Sequence, residues 1–201
     1  MPVLPMFPLG SALLPHMPTI LRVFEDRYLV MLSRILQNEP SEFGVVLIER
    51  GQEVGGGEKR FSTATVAQIS QLDTDEGHVL LVAEGQRRIE VVEWLDDDPY
   101  PRAEVRDLPE LEWDDELQPL RDRAEIVVRR LVARASEFVD QPWSADVEVA
   151  AEPVAAAWQL AGIAPLAELD RVRLLQAATT EELLTVLIEQ ATYAQANYSA
   201  E

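Results

Sequence analysis

The sequence predicts an α+β protein: a mainly β region with one internal helix over residues 1–109, followed by an all-α helical bundle over residues 110–201. Three observations predict it. Before Pro109, short apolar runs are broken by turn residues, the pattern of strands. After it, Leu117, Leu120, Ala124, Val127, Leu131, Ala135 and Phe138 trace one helical face over about six turns. The period changes across an acidic stretch, Pro109 to Glu116.

In the β region the expected strands are Val3 to Phe7, Thr19 to Phe24, Phe43 to Arg50, Thr63 to Leu72, His78 to Glu84, Arg87 to Leu95 and Arg102 to Leu108. Between the second and third, Tyr28, Leu32, Ile35 and Leu36 fall at helical spacing, which predicts an amphipathic helix over Glu25 to Gln37, stopped by Pro40. Turns are expected at Asp75-Glu76-Gly77, Glu84-Gly85-Gln86 and Asp97-Asp98-Pro99. Pro8 to Pro18 is too proline-rich for regular structure, and Gly51 to Glu58, with three successive glycines, reads as a surface loop.

In the helical region Pro142 closes the long first helix. A second helix is expected from Pro153, whose missing N–H is tolerated in a first turn, to Gly162, with Trp158 facing inward. Asp170 is a candidate cap for a short helix through Gln176. Thr179 and Glu182 have capping-box spacing at the start of a last helix carrying Leu183, Leu187, Ala191 and Ala194.

Composition narrows the function. The formal charge is −19, from 36 acidic and 17 basic residues, and both regions share the excess: 10 basic against 18 acidic up to Pro109, then 7 against 18. Phosphate backbones and anionic membrane surfaces are repelled by such a body, because nucleic-acid binding depends on neutralising phosphates with Lys and Arg. Without cysteine, disulfides and thiolate chemistry drop out. The apolar runs are far shorter than a bilayer span, and Met1-Pro2-Val3-Leu4-Pro5 lacks a secretory n-region, so cytoplasmic residence is expected.

Five ordered segments carry a family resemblance. Pro2 to Leu9 with Leu14-Pro15-His16-Met17-Pro18, then Leu21 to Tyr28, Phe43-Gly44-Val45-Val46-Leu47, Ala64-Thr65-Val66-Ala67-Gln68-Ile69 and Val82 to Arg88 resemble the amino-terminal domain of Lon proteases. Ala64 stands where that family usually has glycine. The resemblance implies a PUA-like β pseudobarrel with a helical extension that recognises unfolded or tagged protein segments, with a protease or chaperone among its partners. It also implies a stand-alone module, since the chain ends at Glu201 before the ATPase and Ser-Lys peptidase of Lon could begin.

Residue chemistry points the same way. Gly55-Gly56-Gly57-Glu58-Lys59-Arg60 has neither the spacing nor the hydroxyl of a phosphate loop. His16 and His78 have no serine elbow near them in sequence, and Lys59 is the sole lysine available to a Ser-Lys dyad. Asp73, Asp75 and Glu84 occupy positions 1, 3 and 12 of a calcium-loop frame that fails where His78 stands in place of the turn glycine. No catalytic residue, metal or cofactor is therefore expected. The candidate partner-binding residues are Leu13, Leu14 and Met17 in the proline-rich loop and Phe61 beside the glycine-rich one. Two readings stand for them: plugs at the ends of the barrel, or a sticky surface for partner segments. The function expected is non-catalytic protein recognition, with a small-ligand or RNA-binding barrel as the alternative that acidity weakens for RNA.

Overall fold

β1 (Val3–Leu9), β2 (Pro18–Val23), α1 (Asp26–Ile35), β3 (Glu42–Arg50), β4 (Lys59–Asp75), β5 (His78–Leu95) and β6 (Arg102–Asp107) follow one another in the first half of the chain. The computed structural model describes residues 1–37, 39–51, 59–75 and 78–198, and the chain forms two compact units, Met1–Pro109 and Glu110–Glu201.

In the first unit the six strands make one mixed sheet in the order β2-β5-β4-β3-β1-β6, and β6 also pairs with β5. Five strands thus close on themselves and β2 stands outside the ring. β1 and β3 run parallel, with Met6 opposite Gly44, and the other pairings are antiparallel. The alternate inward positions of the ring, Met6, Val46, Ala64, Val66, Ile89, Val91, Ala103 and Val105, form a buried cluster. Each large apolar side chain fully buried there stabilises the fold by about 1.5–3 kcal/mol. Gly44 leaves room for Met6: a Cβ at this position would lie 2.4 Å from the Met6 sulfur, so the methionine side chain would have to shift. Ala64, the departure from the family pattern, is buried in the same cluster and keeps its pairings with Val46 and Ile89.

Two expected strands prove to be one. β5 runs unbroken through Glu84-Gly85-Gln86, where a turn was expected, and changes partner there: Val79–Glu84 pair with β2, Ile89–Leu95 with β6. The glycine serves a close approach instead of a turn. His16 N donates to Gly85 O at 2.7 Å and Gly85 N donates to Met17 O at 2.9 Å, so the proline-rich loop is bonded to the middle of β5. β4 is also longer than expected at both ends. Of the expected turns and loops, Glu76-Gly77 and residues 52–58 of the glycine-rich segment lie outside the described residues.

The second unit consists of a 3-10 turn at Asp115–Leu117 and the helices α2 (Gln118–Ser136), α3 (Pro153–Ile163), α4 (Glu168–Leu175) and α5 (Thr180–Asn197). Among the described residues no helix is long and apolar enough to cross a membrane. The face α2 buries is Ala124, Val128, Leu131, Val132 and Ala135; Val128 takes the place expected of Val127, and Phe138 lies past the helix end with 46 % of its surface exposed. Side chains cap the starts of α3 and α5. Glu152 accepts from Val154 N and Ala155 N ahead of α3, and Thr179 Oγ1 accepts from Glu182 N at 3.1 Å ahead of α5. Asp170 caps nothing. α4 starts at Glu168, which puts Asp170 inside its first turn, where Gln190 donates to its carbonyl at 3.3 Å. The Arg171 guanidinium donates to Gly162 O at 3.2 Å and Ala164 O at 3.0 Å, satisfying carbonyls at the end of α3. Burial lowers its pKa, opposed by the nearby Glu168 carboxylate.

Candidate functional site

The change of partner along β5 creates an opening. β6 pairs with β1 only along Val3–Pro5 and with β5 only along Ile89–Leu95. Beyond that, Phe7, Pro8 and Leu9 of β1 pair with β3 alone, and β2 pairs with β5 alone, among the described residues. The ring is therefore closed at one end and split at the other, and a groove of about 320 Å³ lies at the split end. Its walls are Phe7, Leu9 and Ser11 on one side, the seven successive residues Thr19 to Glu25 on another, and Tyr28 of α1.

The wall side chains are set by local structure. Phe7 stacks on Tyr28 with centroids 4.0 Å apart and planes 9° from parallel, and the Phe43 ring lies tilted against Phe7 with centroids 6.0 Å apart. The Arg27 guanidinium lies 4.6 Å over the Tyr28 ring and its Nε donates to Glu25 Oε2 at 3.1 Å. That contact ties the Glu25 carboxylate down at the start of α1. The cation among the lining residues, Arg22, donates through Nη2 to His78 Nε2 of the neighbouring β5 at 2.8 Å. Both charges at the groove thus have partners within this unit. The rim is apolar: Ile20 is 68 % and Phe24 56 % exposed, whereas Val23 and Tyr28 at the base are each 1 % exposed.

The sequence-derived binding residues lie elsewhere. Leu13, Leu14 and Met17 are buried, with exposures of 6 %, 1 % and 7 %, and the buried Thr65 hydroxyl donates to Leu13 O at 2.6 Å. Of the two readings of these three residues, burial supports the plug: their side chains fill the unit, and the loop's bonds to β4 and β5 hold them there. Phe61 is half-buried and packs with Leu4 and Trp94 on the buried cluster, with Arg60 4.2 Å over the Trp94 ring. That is the end of β5 paired with β6, away from the stretch paired with β2.

The titratable candidates are dispersed. His16 occupies a left-handed turn at φ 59°. Lys59 pairs with Glu49 at 2.8 Å. Asp73 sits opposite Leu80 near the end of the β4–β5 ribbon, and Glu84 lies four residues further along β5 than Leu80, opposite Gln68, so two carboxylates of the calcium frame are spread along the ribbon. Among the described residues no group of three or more His, Asp or Glu is placed to hold a metal ion.

The groove residues Ile20 and Phe24 escaped the reading of the sequence, although a signal existed. A two-fold period that buries Val23 puts Thr19 and Leu21 on the same side, and Ile20 and Phe24 then fall on the opposite side together with Arg22.

Comparison with known proteins bears on the whole chain. Residues 3–192 match the profile of the ATP-dependent protease La (LON) substrate-binding domain. Among solved structures, the Lon N-terminal domain protein from Xanthomonas campestris superimposes with a TM-score of 0.67 at 27 % identity, over 94 % of this chain and 98 % of that one. The N-terminal domain of Mycobacterium avium complex Lon protease gives a TM-score of 0.67 at 21 % identity, over 95 % of this chain and 98 % of that one, a likeness of fold. No curated protein matches the chain.

Proposed function

The chain belongs to the ATP-dependent protease La (LON) substrate-binding domain family, and from that premise we propose that it binds unfolded or tagged segments of other proteins in the groove beside β2, without chemistry of its own. The observation that carries this reading is the pairing of an apolar rim, Ile20 and Phe24, with a groove whose two charged groups are already engaged. Unfolded proteins differ from folded ones in presenting apolar side chains on an extended backbone, and such side chains gain about 25 cal/mol for each Å² removed from water. A rim of two exposed side chains provides contact of modest strength, which suits a module that takes up segments of varied sequence and releases them to a protease or chaperone.

The acidic body adds a long-range preference for basic segments that salt screens, while the apolar contact persists. Titration of the isotope-labelled protein with a permanently unfolded, reduced and alkylated protein tests the proposal by NMR. Amide shifts of Thr19 to Glu25, Phe7, Leu9 and Tyr28 are expected to move first and together. Movement confined to other residues, with these unaffected, contradicts it.

A further inference from the structure

Resting on the groove reading, we infer that the bound segment docks as an added β-strand, hydrogen-bonded to the free edge of β2, and that it is an extended apolar segment with basic flanks. The evidence is in how β2 meets the groove. Five successive residues of β2, Thr19 to Val23, line it, followed by Phe24 and Glu25 past the end of the strand. A groove lying on the face of a strand touches alternate residues, because side chains alternate; one lying along the strand's edge touches successive residues. β1 shows the other case, contributing the alternate pair Phe7 and Leu9. β2 therefore offers its backbone and β1 offers side chains.

The edge is also chemically competent. In an antiparallel pair, alternate residues direct their N–H and C=O groups to the partner and the remainder direct theirs away. β2 has a single strand partner among the described residues, β5, so the outward groups of Thr19 to Val23 face the groove, and none of these residues is a proline. The opposing stretch of β1 contains Pro8, which has no N–H to give. Natural edges are usually blunted by inward-pointing charge, proline or a bulge. β2 has a proline only at its first residue, Pro18, and no bulge: its register with β5 is unbroken from Pro18 to Val23, and its one charged residue, Arg22, is bonded to His78 of β5. The flank preference follows from charge, since the first unit's sequence holds 18 acidic against 10 basic residues. Backbone pairing supplies affinity without reading side chains, which is what a binder of varied sequences needs.

The test uses a synthetic peptide of alternating Val and Thr flanked by lysines, and two forms of it N-methylated on one or the other alternate set of residues, titrated by calorimetry into the intact protein and into its Ile20→Lys variant. Strand addition predicts that one methylated form loses about tenfold or more in affinity, through lost hydrogen bonds, while the other binds as the parent does. If both forms bind like the parent, or both lose equally, the strand-addition inference is overturned. The groove reading then still stands if Ile20→Lys weakens the parent peptide. A parent peptide that binds the variant as well as the intact protein, or binds neither, overturns both.

Discussion

The carbonyl oxygen of Leu14 occupies the space that a side chain at Gly85 would need: a Cβ there would lie 2.3 Å from it. Backbone meets backbone at this point, so neither side can yield by rotating a side chain. Gly85→Ala is expected to lower the urea midpoint of unfolding by the equivalent of about 1–3 kcal/mol, the usual cost of forcing extra atoms into a packed interior. A midpoint equal to that of the parent contradicts the close approach.

Thr65 holds the same loop from β4, its buried hydroxyl donating to Leu13 O. Thr65→Val keeps the shape and leaves that carbonyl without this donor, at a cost of about 1–3 kcal/mol. Thr65→Ser, which restores a hydroxyl, should recover a substantial part of it. Equal melting temperatures for the Val and Ser variants would remove the hydrogen bond from the account.

Leu14 is 1 % exposed. Leu14→Ala is expected to destabilise the protein by about 2–5 kcal/mol, as truncations of buried leucine do. Its affinity for unfolded protein, measured well below the melting temperature, should stay at the parent value. Loss of affinity with unchanged melting would return this loop to the role of a binding surface.

Much of the architecture was legible in the sequence because it rests on local signals. The change from two-fold to helical period near Pro109, the proline start of α3 and the Thr179 cap each involve residues close together in the chain. What escaped depends on distant partners. Gly85 reads as a turn in sequence, and only the passage of Leu14 over β5 explains a glycine inside a continuous strand. Leu13, Leu14 and Met17 lie in an irregular, proline-flanked segment that gives no periodic signal of burial, and it is Thr65 and Gly85, far along the chain, that hold them in. The groove was hidden for the same reason. Thr19 to Phe24 was recognisable as a strand, but its free edge exists because β5 trades β2 for β6 part-way along, a fact of register rather than of composition.

The account rests on the groove beside β2 as the place where protein segments bind, and affinity for a permanently unfolded protein after changing its rim measures this most directly. Ile20 and Phe24 are largely exposed, so Ile20→Lys with Phe24→Ser should leave the melting temperature within about a few degrees of the parent, as surface substitutions do. Calorimetric affinity for a reduced, alkylated, unfolded protein is expected to fall about tenfold or more, in line with the loss of two exposed apolar contacts. Parent-like affinity in a fully folded double variant would contradict the claim.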